Sequence, residues 1–118
     1  MSGTVGYHAG LAAEDIVAND YAKRDHVVAA RRWRGQSGEI DLIARDGETV
    51  VFVEVKKSRS FANAAARLGR RQMERIVASA AEFLADEPRG QLTDVRFDLA
   101  IVDGVGGLNV IENAFMEV

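Results

Sequence analysis

The chain contains no cysteine, so disulfide scaffolds, thiolate zinc sites and cysteine nucleophiles are excluded. It has only two histidines, His8 and His26. They stand in no metal-ligand spacing, and each is expected at a solvent-facing or helix-edge position. No apolar run approaches the roughly 20 residues of a membrane span. The segment Met1-Ser2-Gly3-Thr4 carries no basic stretch followed by an apolar one, so a cytoplasmic protein without a membrane partner is expected. Proline occurs once, and 47% of the residues are hydrophobic, a balance that favours a folded chain over a disordered one. At 118 residues the length suits one domain over residues 1–118, with a single core.

An excess of positive charge is also missing, since the formal net charge is −3. The total hides a division along the chain. Residues 56–75 hold seven Lys or Arg against one Glu, whereas residues 82–118 hold two Arg against eight Asp or Glu. Screening confines each charge to about 8–10 Å at physiological salt, so a local basic surface can bind phosphates on an acidic molecule.

From Tyr7 to about Lys23, Ala9, Ala12, Ala13, Ile16, Val17 and Tyr21 recur at the three- and four-residue spacing of an amphipathic helix. Glu14 borders that stripe, where a charge can reach the rim of whatever the helix covers or remain solvated. A strand is expected over Val27–Arg34, ending in Arg31, Arg32, Trp33 and Arg34. Those arginines suit either phosphate contact or the protection of a sheet edge. Trp33 either stacks on a base or, more simply, sits half-buried in the edge strand.

Two further strands, Glu39–Ala44 and Val50–Lys56, flank an Asp46-Gly47 turn. Residues 58–67 read as a loop. A second helix is expected from Leu68 to about Ala85, with Met73, Ile76, Val77, Ala80, Ala81 and Leu84 as its apolar stripe and Pro88 beyond its end. Arg70, Arg71 and Arg75 crowd its first half, where the helix dipole disfavours cations, and this points to an anionic partner. Val95–Val102 alternates as a strand, with Arg96 and Asp98 paired on one face, and Leu108–Ile111 forms a short returning strand. The resulting fold class is α/β: a mixed sheet flanked by helices in the order α-β-β-β-α-β, plus the short last strand.

The anomaly lies in the two hairpin strands. Alternation can bring Asp41, Glu54 and Lys56 onto one face, in a place where a plain hairpin carries Val or Ile. Buried carboxylates need partners. Either the three residues satisfy each other as a salt-bridge cluster, or the carboxylates and a backbone carbonyl hold Mg²⁺ or Mn²⁺ for phosphodiester hydrolysis.

Asp41, followed thirteen residues later by Glu54-Val55-Lys56 at the end of an apolar strand, resembles the PD-(D/E)XK nuclease motif. More closely, Gly10-x-x-Ala13-Glu14, Gly38-Glu39-Ile40-Asp41-Leu42-Ile43, Val51-Phe52-Val53-Glu54-Val55-Lys56, Arg96-Phe97-Asp98 and Asn113-Ala114-Phe115 resemble the YraN-like family of bacterial proteins, itself similar to archaeal Holliday junction resolvases. Ile40 stands where the superfamily name has proline, a departure that leaves the chemistry available.

The resemblance implies a restriction-endonuclease-like three-layer core and a metal-dependent endonuclease acting on DNA, with branched DNA and a homodimer in view. It implies Asp41, Glu54 and the Val55 carbonyl as ligands of Mg²⁺ or Mn²⁺. Lys56 would orient the water or stabilise charge, Glu14 would assist from the first helix, and Gln72 would support the site. Arg31, Arg32, Arg34, Lys57, Arg59, Arg70, Arg71 and Arg75 are the candidate DNA contacts. A non-catalytic DNA-binding or adaptor module that keeps the same fold is the rival. A third expectation is that the basic helix start binds the acidic surface of a protein partner.

Overall fold

The computed structural model describes the backbone of residues 2–66 and 69–114, and within it the side chains except those of residues 2–12, 62, 65 and 66. Helix α1 (Ser2–Lys23) is followed by strands β1 (Val27–Arg34), β2 (Glu39–Asp46) and β3 (Thr49–Lys57). Helices α2 (Phe61–Ala66) and α3 (Arg70–Leu84) lead through a short 3₁₀ turn to β4 (Val95–Val102) and β5 (Leu108–Ile111).

The strands form one sheet in the order β1-β2-β3-β4-β5. All neighbours are antiparallel except β3 and β4. A parallel pair needs a crossover, and α2 and α3 supply it. Gly47 adopts φ +61° in the β2–β3 turn, a left-handed geometry that costs glycine little.

Each face of the sheet packs its own helix. Ala13, Val17, Ala18 and Tyr21 of α1 pack with Leu42, Ala44, Val51, Val53, Ala100 and Val102. On the other face, Ala80 and Leu84 of α3 pack with Ile40, Ile43, Val50 and Phe52. Burying a Val, Leu, Ile or Phe side chain stabilises by roughly 1.5–3 kcal/mol, so these two apolar layers hold the helices to the sheet. The expected mixed sheet flanked by helices is therefore observed, and no helix among the described residues is long and apolar enough to cross a membrane.

Several expectations need correction. The segment read as a loop contains α2, whose Ala64 is buried against Leu99 and Ile101. It spans less than two turns, too short to show helical periodicity. The stripe of α3 is rotated: Val77 is 39% exposed and Ala81 is exposed, while Ser79 is fully buried and Phe83 half-buried. Ser79 Oγ lies 3.5 Å from where a Gly38 side chain would begin, and both residues are small enough for α3 to approach the start of β2.

His26 is buried rather than peripheral. Its ring meets Tyr21 edge-on at 5.1 Å, and Nε2 lies 3.0 Å from Arg96. The left-handed backbone of Asp25 (φ 63°) ends α1 and turns His26 inward. The side chain of His8 lies outside the described residues.

The paired Arg96 and Asp98 are found as expected, in a larger network. Asp98 is fully buried and accepts hydrogen bonds from the Tyr21 hydroxyl at 2.6 Å, from the Arg96 guanidinium at 3.0 Å and from the Asn113 amide at 3.2 Å. Burial, followed by the hydrogen bond to Asp98, raises the Tyr21 pKa, so this hydroxyl remains a donor.

Candidate functional site

The site forms where β2 and β3 diverge. Their register runs from Asp46–Thr49 to Leu42–Val53 and stops before Asp41 and Glu54. Beyond that point the Val55 amide donates to Asp41 Oδ2 at 2.8 Å, so a side chain takes the place of a strand partner. Asp41 and Glu54 are thereby turned towards each other, close enough to share a hydrogen bond.

Gln72 of α3 closes one side. Its Nε2 donates to Glu54 Oε1 at 3.0 Å, and its Oε1 accepts from Lys56 Nζ at 3.2 Å. Lys56 Nζ also lies 3.6 Å from Glu54 Oε1. The amide of Gln72 therefore holds both an anion and a cation, fixing the direction of each. Glu14 of α1 enters from the other side, and Arg32 Nε donates to its two carboxylate oxygens at 3.0 and 3.2 Å. Arg32 has φ 51° within β1. It falls between the Arg31–Leu42 and Trp33–Ile40 pairs and so lies opposite Asp41. This left-handed strand residue is unusual for a non-glycine and re-aims the side chain towards Glu14.

Glu14, Arg32, Glu39, Asp41, Glu54, Gln72 and Arg75 line a polar cleft of about 290 Å³. Burial pushes the Glu54 carboxyl up to about 7, with the charge of Asp41 adding to the shift and Lys56 opposing it. Burial likewise raises Asp41, helped by the charges of Glu14 and Glu39 and opposed by the Val55 amide and the hydrogen bond to Glu54. Two carboxyl groups in one desolvated place cannot both ionise cheaply, so burial and mutual repulsion raise the affinity of both for a proton.

This donor set fits a hard divalent cation, because two carboxylates that repel each other gain by sharing a positive ion. The fit rests on the pair. Among the described residues no group of three His, Cys, Asp or Glu side chains is placed to hold a metal.

The structure thus gathers Glu14, Asp41, Glu54, Val55, Lys56, Gln72, Arg32 and Arg75 at one cleft. It separates the other candidates. Arg31 pairs with Asp15 at 2.7 Å and Arg34 with Glu39 at 3.2 Å. Arg70 and Arg71 are exposed at the start of α3, and Arg71 shares a neighbouring shallow cleft with Arg75 and Ser37. Lys57 and Arg59 line a different cavity, on the α1 side of the sheet. Trp33 is half-buried and meets Phe83 edge-on at 5.6 Å, as the simpler of its two readings anticipated.

Sequence reasoning missed Gly38, Glu39 and Ile76, which also line the cleft. Gly38 could have been found, since a glycine at a strand often marks a close approach of another part of the chain. Ile76 reads only as core.

Comparison with known proteins agrees with the likeness carried by the Gly38–Ile43 and Val51–Lys56 motifs. A UPF0102 protein of Cereibacter sphaeroides strain ATCC 17025 is 64% identical over 115 residues, 98% of each chain. One from Ruegeria pomeroyi is 62% identical over 113 residues, 96% of this chain and 92% of the relative. One from Dinoroseobacter shibae is 45% identical over 114 residues, 97% of this chain and 85% of the relative. The family model described as uncharacterised protein family UPF0102 matches residues 13–102, which include Glu14, Asp41, Glu54, Lys56 and Gln72. With the family model and these relatives in agreement, the chain belongs to the UPF0102, or YraN-like, family.

Proposed function

We propose that the protein is a metal-dependent endonuclease that hydrolyses DNA phosphodiester bonds. The observation that carries this reading is the Asp41–Glu54 carboxyl pair, held beside Lys56 in a cleft bordered by Arg32 and Arg75. A purely structural pair of acids would be expected to meet cations that neutralise both, whereas Lys56 reaches Glu54 and the immediate contact of Asp41 is an amide.

Asp41 and Glu54, with the Val55 carbonyl, would hold Mg²⁺ or Mn²⁺. When bound, such an ion lowers the pKa of a water and offsets charge on a phosphoryl oxygen. Lys56, held in place by Gln72, supplies a positive charge beside the pair for the developing phosphorane. Glu14, steered by Arg32, offers a third carboxylate that can accept a proton at the rim of the cleft. Arg75, with Arg70 and Arg71, supplies charge for the flanking phosphates. The likeness to archaeal resolvases supports branched DNA as substrate and a homodimer as the acting form, since cutting two strands takes two sites.

The test is cleavage of radiolabelled linear, single-stranded and four-way DNA with Mg²⁺ or Mn²⁺. The wild type should cut at least one substrate, and Asp41→Ala and Glu54→Ala should cut none. Failure on every substrate, or cutting indifferent to both substitutions, would sink the reading.

One observation favours a second reading, a DNA-binding or adaptor module without turnover. Lys56 already ion-pairs with Glu54, which partly compensates that acid. This reading is distinguished by salt-sensitive DNA binding that depends on Arg70, Arg71 and Arg75 and is never followed by product.

A further inference from the structure

A second cavity, of about 440 Å³, opens beyond the carboxyl ends of β3 and β4, the parallel pair of the sheet. After β3 the chain leaves for α2 on one face, where Ala64 packs with Leu99 and Ile101, while α1 packs with Val102 on the other. After β4 it folds straight back into β5. Connections that part in this way leave a crevice, and in open α/β sheets ligands occupy crevices at the carboxyl ends of strands. The volume falls within the roughly 300–1,000 Å³ of small-ligand clefts.

The walls differ in chemistry. Ala13 and Ile16 of α1, with Val102, give an aliphatic floor. Lys57 and Arg59 stand exposed at the rim, and among the described residues neither makes an ion pair. The far wall is the loop from Asp103 to Gly107, which is fixed by its own hydrogen bonds. Asp103 Oδ1 accepts from the amides of Val105 at 2.9 Å and Gly107 at 2.7 Å, and the Asp103 amide donates to the Gly107 carbonyl at 2.9 Å. A wall already held in place adds little ordering cost to binding.

Charge and polarity together select the ligand. Two cations against the one carboxylate of Asp103 leave a single positive charge unanswered, which suits a monoanion. The guanidinium of Arg59 can take both oxygens of a carboxylate, and Lys57 adds a point charge beside it. A bare inorganic anion would satisfy the rim and leave the floor in water. An uncharged apolar molecule would cover the floor and leave the cations unanswered.

We infer that this cavity is a binding site for a small aliphatic carboxylate, its head group at Lys57 and Arg59 and its alkyl body on Ala13, Ile16 and Val102. The assignment is independent of the nuclease reading, because it uses none of the residues of the Asp41–Glu54 cleft and needs neither metal nor DNA.

The test is an amide-resolved NMR titration of the isotopically labelled full chain in EDTA with acetate, butanoate, hexanoate and 1-hexanol. Each methylene that reaches the floor should tighten binding about fourfold, so hexanoate should exceed acetate by at least about tenfold, with butanoate between them. Hexanol, which lacks the charge, should bind about tenfold more weakly than hexanoate. The amides of Ala13, Ile16, Ser58, Asp103 and Gly104 should shift, and those of Asp41 and Glu54 should stay still. The double variant Lys57→Ala/Arg59→Ala, which changes no core residue, should bring hexanoate down to the level of hexanol. Ile16→Ala should bring hexanoate towards acetate and leave acetate itself unchanged.

Acetate or hexanol binding as tightly as hexanoate would overturn the assignment, the first by showing the floor unused and the second by showing the cations unused. Shifts centred outside the cavity, no shift at tens of millimolar hexanoate, or an affinity that survives both variants would overturn it as well.

Discussion

Two buried acidic centres share this sheet, and their surroundings are opposite. Asp98 meets a guanidinium, a phenol and a backbone amide, so its charge is answered from three directions. Asp41 and Glu54 meet each other, with one amide on Asp41 and with Gln72 and Lys56 on Glu54. A compensated buried charge can be kept by packing alone. An undercompensated pair persists at a cost in stability, and such sites concentrate where an ion, a substrate or a proton is to be handled.

The contrast breaks most severely at Asp98. Asp98→Ala should cost roughly 3–5 kcal/mol in urea unfolding, because it removes the buried anion that Tyr21 and Arg96 share and leaves Arg96 only the half-exposed Asp46 at 3.5 Å and Glu112 at 3.6 Å. Asp41→Asn should leave stability unchanged or raise it, since it removes one of two repelling acids. If both substitutions destabilise equally, the distinction between the centres fails.

Activity should reverse the ranking. Asp41→Asn should lower the rate of DNA cleavage by about 10²–10³-fold, the scale of losing a preorganised electrostatic group. Single-turnover cutting of four-way DNA measures it. Gln72→Ala should have a smaller effect, about tenfold, because Gln72 holds Lys56 and Glu54 in place and outer-shell losses commonly cost 10–100-fold. A drop in rate with unchanged DNA affinity is the expected signature.

The smallest effect concerns pH. Burial pushes the Glu54 carboxyl up to about 7, above its ordinary value of 4.5, and Asp41 shifts in the same direction. Between those pH values the folded state binds more protons than the unfolded one. The stability contributed by the protonated pair is therefore complete below about pH 4.5 and is lost as pH rises through about 7. In EDTA the Tm should fall on the order of 5 °C across that window, and Glu54→Gln should flatten the slope. Adding Mn²⁺ at pH 7.5 should raise the Tm of the wild type and leave Glu54→Gln unmoved.

The sequence exposed the uncompensated centre more readily than the compensated one. Asp41 and Glu54 stood out because acids in apolar strands contradict their local pattern, and such conflicts mark functional places. Strand alternation was enough to put them on one face, and a helix stripe was enough to place Glu14 beside the sheet. The Asp98 network was legible only as far as Arg96, two residues away. Its other members, Tyr21 and His26, come from 77 and 72 residues upstream, and no periodicity connects such distances.

The same limit explains α2 and the rotated face of α3. Ala64 is buried because Leu99 and Ile101 lie over it, and Ser79 is buried because Gly38 leaves it room. Neither fact resides in the local segment. The dispersal of the basic residues was equally hidden. Lys56 and Lys57 are neighbours in sequence, yet they serve two cavities on opposite faces.

The two-residue connection between β2 and β3 has a consequence for how the protein reaches its native state. Asp41 and Glu54 lie thirteen residues apart across a hairpin. Hairpins close in about 1–10 μs, ahead of contacts that must span most of the chain. The repelling acids are therefore brought together near the beginning of folding, whereas Tyr21 and Asp98 meet towards its end. Raising the pH through the range in which Glu54 ionises should accordingly slow refolding and leave the unfolding rate almost constant. Loss of the Asp98 contacts should do the opposite, and stopped-flow chevrons at pH 5 and pH 8 would separate the two.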